Sequence, residues 1–531
     1  MPNRRTPDAV IVRTLKLLEQ YDGNKHAVSR ASGVARAMIR AHIRMAKERG
    51  LTVNSDSDKQ TSRLKATASE LRKSKVFVVT SAQNDTGLHV PFWQALLKYC
   101  ELRDAQMLVI PTFYKNPDAY HPGDRSADYT WPAETLPYLL DRDISLSDSL
   151  MVLGDAKINA TSVNPLGGME PLSGVKSSIF GHAQVQMRMV ATPASLMPKM
   201  LHTTGTVSKK NYSRTKEGKK AKFHHTYGAL VVEISGSRFW VRELQCDDSG
   251  GFYDLDGYYT GEGATYGHRL AALVLGDEHV KFSDPAVIKA TFGPGGLVDV
   301  LRPKYLVRHD IHDHYSQSHH HEHDTILKIQ KAHAGDWSVR DELDIARQHL
   351  IDTTPADCEN WIIQSNHHDH IYKWINRFDA NKDPHNGVFA WKLKGYIADA
   401  IERGEDPDPF KLFLKNTLPD ELLQRTRFIG ANDRALIADI DVSQHGDRGP
   451  NGARPSPLGF ARAMHKMMTA HTHVPGIEKG CYTVGTSTKS MQYVMGLSSW
   501  MITHGAIYQN GKRALMHVVE GDWRLPVRRT A

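Results

Sequence analysis

The sequence predicts an α/β protein of several domains, and three observations carry that prediction. From Lys75 onward, apolar runs of strand length alternate with amphipathic helical patterns. Beyond residue 268, five apolar strand-like segments run one after another into Asp, Asn and His residues. The formal charge of +8 is also unevenly placed. Residues 1–74 hold 16 Lys and Arg against seven Asp and Glu, a net of +9, and the remainder is close to neutral. The 531 residues suffice for two to four domains. With 40% hydrophobic and 24% charged residues, the composition excludes a disordered or fibrous chain.

The first element, residues 1–50, reads as a small helix-turn-helix. Val10, Leu15, Leu17 and Leu18 recur at helical spacing, and Asp22-Gly23-Asn24 ends that helix. A second helix over 25–31, the turn Ser32-Gly33-Val34 and a third helix from Ala35 to Glu48 complete the pattern. The last helix carries Arg36, Arg40, Arg44 and Lys47 on one face, suited to phosphates or guanine edges in a major groove. A solvated helical face that binds a protein partner is the plainer reading; the localised charge favours DNA. Residues 51–74 are polar and read as a linker.

Residues 75–267 follow as an α/β region, either packed on the next domain or continuous with it. Strands are expected at Val76–Thr80, Met107–Pro111 and Leu150–Gly154, with a helix over 91–103 between the first two. Further strands are expected at Gln184–Val190, Ala229–Ile234 and Phe239–Glu243. Lys209 to Lys222 holds seven basic residues and one Glu, and reads as an exposed basic loop. Lys209, Lys210, Lys219 and Lys220 could track a nucleic-acid backbone there, or simply cover a hairpin tip. No phosphate-cradling glycine motif occurs in this region, and its own role is not legible.

The last domain, 268–531, holds the chemistry. Ala271–Leu275 leads into Asp277-Glu278-His279, and Tyr305–Val307 into His309-Asp310-Ile311-His312-Asp313. Trp361–Gln364 leads into Ser365-Asn366-His367, Ala435–Val442 into His445, and a fifth element into Ala470-His471-Thr472-His473. Oxygen and imidazole donors at successive strand ends can converge on cations, and the carboxyl edge of an open sheet is where ligands collect. The 29 histidines make any single motif weak. The crowded loop holding His312, His314, His319, His320, His321 and His323 is expected to be mostly solvated. His368 and His370 are expected to orient the neighbouring ligands. Asn510-Gly511 is expected to turn a hairpin near the end of the chain.

In that order, the five motifs resemble those of the calcineurin-like binuclear metallophosphoesterases, whose pattern is DxH, GDxxD, GNH, a lone His, and GHxH. The resemblance covers about residues 268–510. Three motif glycines are replaced, by His309, Ser365 and Ala470, which puts loop geometry in question more than ligation. The resemblance implies a β-sandwich flanked by helices. It implies that Asp277, His279 and His473 hold one metal, that Asp310 bridges, and that Asn366, His445 and His471 hold the second. His445 has a rival in His465. His367 is implied as the catalytic imidazole, and Mn²⁺ as the metal, with Fe, Zn²⁺ or Mg²⁺ as alternatives.

The layout is also similar to phage-encoded DNA-degradation nucleases with an N-terminal helix-turn-helix, including the stretch Lys209–Glu233. The function expected is therefore a two-metal DNase, because a basic helix-turn-helix and a basic loop are of little use to an enzyme that hydrolyses cyclic nucleotides and instead concentrate a duplex at the metal site. The alternatives are a phosphatase or phosphodiesterase for a small substrate, and a non-enzymatic DNA-binding regulator on the same scaffold. DNA is the expected partner, in a homo-oligomer with no membrane. Four scattered cysteines and the absence of an apolar leader or an 18-residue apolar run suggest a reducing cytoplasm, that of the host if the gene is a phage's.

Overall fold

The computed structural model describes residues 8–21, 24–49, 71, 73–114, 130–140, 142–464, 466–488 and 496–525. Most of the expected linker, the Asp22-Gly23 turn and His465 lie outside the described residues. The chain divides into two compact units, one of residues 1–63 with 120–130, the other of residues 64–119 with 131–531.

The first unit contains helices Asp8–Gln20, Lys25–Ser32 and Arg36–Arg49. Asn24 caps the second, its side chain accepting from the N–H groups of His26 and Ala27. Gly33 ends it at φ 69°, where its missing Cβ removes the left-handed strain. Leu18, Val28 and Ile39 pack between the helices. Ile11 takes the inward position that the spacing had given to Val10, which is exposed. Arg36, Arg40, Arg44 and Lys47 are all exposed on the third helix.

The second unit is mixed α/β. A four-stranded sheet runs in the order Arg238–Gln245, Gly228–Ser235, Val76–Gln83, Gln106–Thr112. The last two strands are parallel and joined by the helix Val90–Arg103, the expected strand-helix-strand unit. A six-stranded sheet runs Thr426–Ile429, Glu359–Ile363, Tyr305–Arg308, Ala272–Val274, Thr503–Ile507, Arg513–His517. Its first four strands are parallel, and the last two form the hairpin turned at Asn510-Gly511. A ten-stranded sheet takes five strands from residues 144–203 and five from residues 436–483, joined where Met187 pairs with Ile477.

Alternation explains how the sheets stack. Ala272, Val274 and Val307 enter one apolar layer with Met468 and Tyr482 of the ten-stranded sheet and with Val484 just past its strand Cys481–Thr483. Leu273, Leu275 and Leu306 point the other way, onto Leu297, Val298 and Leu301 of a short helix. Ile362 and Ile311 meet the helices Val339–Thr353, Asn366–Arg377 and Pro409–Thr417.

Two local expectations are corrected. Lys216–His224 is an α-helix and not part of a loop: Thr215 caps it through Gly218 N–H, Glu217 lies in its first turn, and Lys222 and His224 in its last. Ala435–Val442 is not one strand. Leu436–Ile437 and Ile440–Asp441 pair antiparallel across Ala438 and Asp439, both at positive φ, so a two-residue turn interrupts the apolar run. Among the described residues no helix is long and apolar enough to cross a membrane.

Candidate metal centre

The strand ends of the six- and ten-stranded sheets bring the motifs together. Past Val274 and Arg308 the two chains stay zipped, Glu278 N–H bonding to His309 O at 3.1 Å and His279 N–H to Asp310 O at 2.7 Å. Gly276 makes this possible, because a Cβ there would sit 2.8 Å from backbone atoms of Thr486 and Thr503. From the other sheet, Ala470 N–H bonds to His445 O at 2.7 Å and so ties the lone histidine to the last motif.

Donor atoms of Asp277, His279, Asp310 and His473 lie within 4.8 Å of one another, and so do those of Asp310, His445 and His471. Asp310 belongs to both groups. His279 Nε2 and His473 Nε2 face each other at 3.0 Å, and His473 Nε2 is 3.1 Å from Asp277 Oδ2. His445 Nε2 is 3.1 Å from Asp310 Oδ2. Every predicted metal ligand except Asn366 is in these two groups. Asn366 opens the helix Asn366–Arg377, and its Oδ1 is buried without a hydrogen bond. His367 lies beside them, its Nε2 3.9 Å from Asp310 Oδ2 and its Nδ1 2.9 Å from the Asp313 carbonyl.

The donor set fits divalent cations. Asp277 Oδ1, Asp310 Oδ1 and Asn366 Oδ1 are buried with no hydrogen-bond partner, a costly state unless something positive meets them. The ion pairs of Asp277 and Asp310 among the described residues are all with histidines. Mixed carboxylate, amide and imidazole donors suit Mn²⁺, Fe or Zn²⁺. Burial favours a neutral Asp310, but His445 and His367 outweigh it and hold the carboxyl well below the usual range. Burial likewise opposes a charge on His445, and Asp310 overrides it, bringing the imidazole up to about 9.

The backbone is strained where these residues sit. His279, Asp310, His471 and His473 all have positive φ, at 37°, 42°, 76° and 58°. Left-handed conformations at non-glycine residues cost about 1–3 kcal/mol each and gather at sites where side-chain direction matters. The replaced glycines have local uses. His309 tilts against His445 with ring centroids 5.5 Å apart, Ser365 caps the helix that starts at Asn366, and Ala470 is buried in the core.

Other residues position the ligands: Asp313 was in view as a group that could orient them, whereas the roles of Glu278, Arg308 and His349 were missed in the sequence. Asp313 Oδ1 lies 3.0 Å from His279 Nδ1 and 3.4 Å from His367 Nδ1, holding the two rings in mutual orientation. Its position at the end of the HDxxD stretch was the available signal. Glu278, between Asp277 and His279, pairs at 2.7 Å with Arg308, and His349 Nε2 reaches the same carboxylate oxygen at 2.8 Å. Arg308 also donates to Asn360 Oδ1 and Thr353 Oγ1. One buried ion pair thus fixes both leading ligand loops, and nothing local announces the distant partners His349 and Thr353. The histidine-rich loop is not mostly solvated as expected: His312 and His314 are buried, while His320 and His323 are exposed. His368 is stacked on Phe410 at 4.2 Å and serves the core.

Lys209, Lys210, Lys219 and Lys220 are exposed, the last two beside exposed Phe223 on the basic helix. A cavity of about 810 Å³ opens beside the centre, lined by Asp313, Tyr315, His320, Asn366, His367 and His370 among others.

Protein A1 of Escherichia phage T5 is 31% identical to the chain over 472 residues, which are 86% of this chain and 84% of that protein. No family model matches the chain, and no solved structure matches it.

Proposed function

The chain belongs to the family of Protein A1 of Escherichia phage T5, and from the centre it carries we propose a phage-encoded, metal-dependent DNase of the calcineurin-like metallophosphoesterase kind. The observation that carries the reading is the pair of donor groups sharing Asp310, with His367 beside them. Asp277, His279, Asp310 and His473 would hold one cation; Asp310, Asn366, His445 and His471 the second. When bound, two such cations polarise a phosphodiester and lower the pKa of a water placed for in-line attack.

The remaining roles fall to the protein's own groups. The Asp313 carbonyl fixes His367 at Nδ1, leaving Nε2 to hold a proton for the leaving oxygen. Asp313 Oδ1 keeps His279 and His367 in register, and the Glu278–Arg308 pair keeps the first two ligand loops from separating. The layered sheets with helices on the outer face support the metallophosphoesterase reading.

DNA is the proposed substrate because of the exposed basic residues. Arg36, Arg40, Arg44 and Lys47 line one helix of a three-helix unit whose Gly33 turn suits a helix-turn-helix, and Lys209, Lys210, Lys219 and Lys220 add a second basic surface.

The test is incubation with linear and supercoiled DNA plus Mn²⁺, with EDTA and His367→Ala as controls. Cleavage that EDTA abolishes and His367→Ala slows by about 10²–10⁴-fold is expected. Intact DNA beside hydrolysis of a generic phosphodiester dye would leave a small-substrate enzyme. A gel shift with neither substrate cut would leave a regulator.

A further inference from the structure

The loop that the motifs left unused carries a second cluster. His319 and His320 sit on a short 3₁₀ turn, and His370 sits on the helix that begins with Asn366, one turn beyond His367. One ring nitrogen from each lies within 4.8 Å of the others. The ring centroids of His319 and His320 are 4.0 Å apart, and those of His319 and His370 are 4.6 Å apart. His370 is only 5% exposed, and its buried Nδ1 has no hydrogen-bond partner; buried His319 Nδ1 has none either. Imidazoles without partners, drawn from two separate elements, are an arrangement that core packing alone does not reward.

We propose that His319, His320 and His370 form a third cation site, distinct from the paired centre and of the zinc class. The donor chemistry differs from the main centre, which mixes carboxylate, amide and imidazole. Three imidazoles with no carboxylate suit Zn²⁺ over Mn²⁺ or Mg²⁺, and leave a fourth position open. Nitrogens around zinc stand about 3.4 Å apart at bond lengths of about 2.1 Å. The side chains therefore close slightly on binding, and exposed His320 is free to do so.

The open position faces the same 810 Å³ cavity that His367 and Asn366 line, since His320 and His370 line it too. The His367 and His370 rings are 4.8 Å apart. A cation here takes a phosphate oxygen next to the scissile group, which makes it a substrate clamp and not a source of nucleophile. That role rests on the phosphodiesterase reading; the cation's binding does not.

The test uses the untagged full-length chain, equilibrated with excess Zn²⁺, gel-filtered and measured for metal content. About three zinc ions per chain are expected for the wild type, about two for His320→Gln and for His319→Gln/His320→Gln, and about one retained in Asp310→Asn. Circular dichroism checks that the exposed-loop variants keep the wild-type fold. Two ions in the wild type, or three in the double variant, overturns the site. In kinetics, the double variant is expected to raise KM for DNA about tenfold while dye hydrolysis is unchanged; equal KM for DNA overturns the clamp. If the third ion is lost as expected but no variant or wild type cuts DNA or dye, the site stands and the nuclease reading fails.

Discussion

In the four-stranded sheet a buried arginine is surrounded by carboxylates, whereas at the strand ends of the six-stranded sheet buried carboxylates are surrounded by histidines. Depth does not separate them: Glu233 and Asp254 are 0% and 2% exposed, Asp277 and Asp310 0% and 1%. Satisfaction does. Arg242 donates to Asp254 at 2.8 and 3.0 Å and to Glu233 at 3.1 and 3.0 Å. Arg103 adds a bond to Glu233, and Tyr99 O–H and Leu525 N–H meet the remaining lone pairs. Every carboxylate oxygen in that cluster has a donor. Asp277 and Asp310 keep oxygens that none meets, and their neighbours stand on left-handed backbone. A buried charge cluster therefore marks a ligand site when acceptors outnumber donors, and a structural joint when they match.

The sharpest way to break that contrast is to unbalance the matched cluster. Arg242→Ala leaves two carboxylates buried without their main partner and is expected to cost about 3–5 kcal/mol. Urea denaturation at neutral pH measures it, and a cost under about 1 kcal/mol would erase the distinction. The unmatched cluster should respond to cations instead. Mn²⁺ at about 100 times its Kd is expected to stabilise the fold by about 2.7 kcal/mol for each ion bound, reversibly with EDTA, and Asp310→Asn is expected to lose that increment without losing metal-free stability.

A smaller effect tests whether acid sensitivity comes from elsewhere. Burial, and next Lys210, pushes the His225 imidazole down to about 3, and burial pushes His517, beside His202, down to about 3. Below pH 6.5 the unfolded chain takes up protons that these folded groups refuse. Stability is therefore lost as pH falls from 6.5 toward 3, by about 1.4 kcal/mol per pH unit for each histidine. In EDTA, His225→Gln is expected to flatten the dependence by that amount; an unchanged slope would place the sensitivity elsewhere.

What the sequence revealed follows from range. Strand ends carrying Asp277, Asp310, Asn366 and His471 were legible because each motif adjoins an apolar run. The convergence of these residues was legible only through their order. The Lys216–His224 helix was hidden because Gly218 and a run of like charges oppose a helix that its lysines favour, and the deciding Thr215 cap is a single side chain. The turn at Ala438-Asp439 was hidden because one alanine accepts a strained conformation that its neighbours impose. Pairings such as Glu278 with His349, or Met187 with Ile477, join residues with no local pattern between them.

That last pairing has a consequence in time. Strands from residues 144–203 can complete their sheet only when residues 476–483 have been synthesised, and the strand before Asp277 finds its antiparallel neighbour only at Thr503–Ile507. Contacts this distant form late and slowly. His471 and His473 arrive with the same late segment, so the donor groups cannot close around Asp310 before it is made. Assembly of this centre therefore waits on residues beyond 470, whatever the order in which the rest of the fold forms.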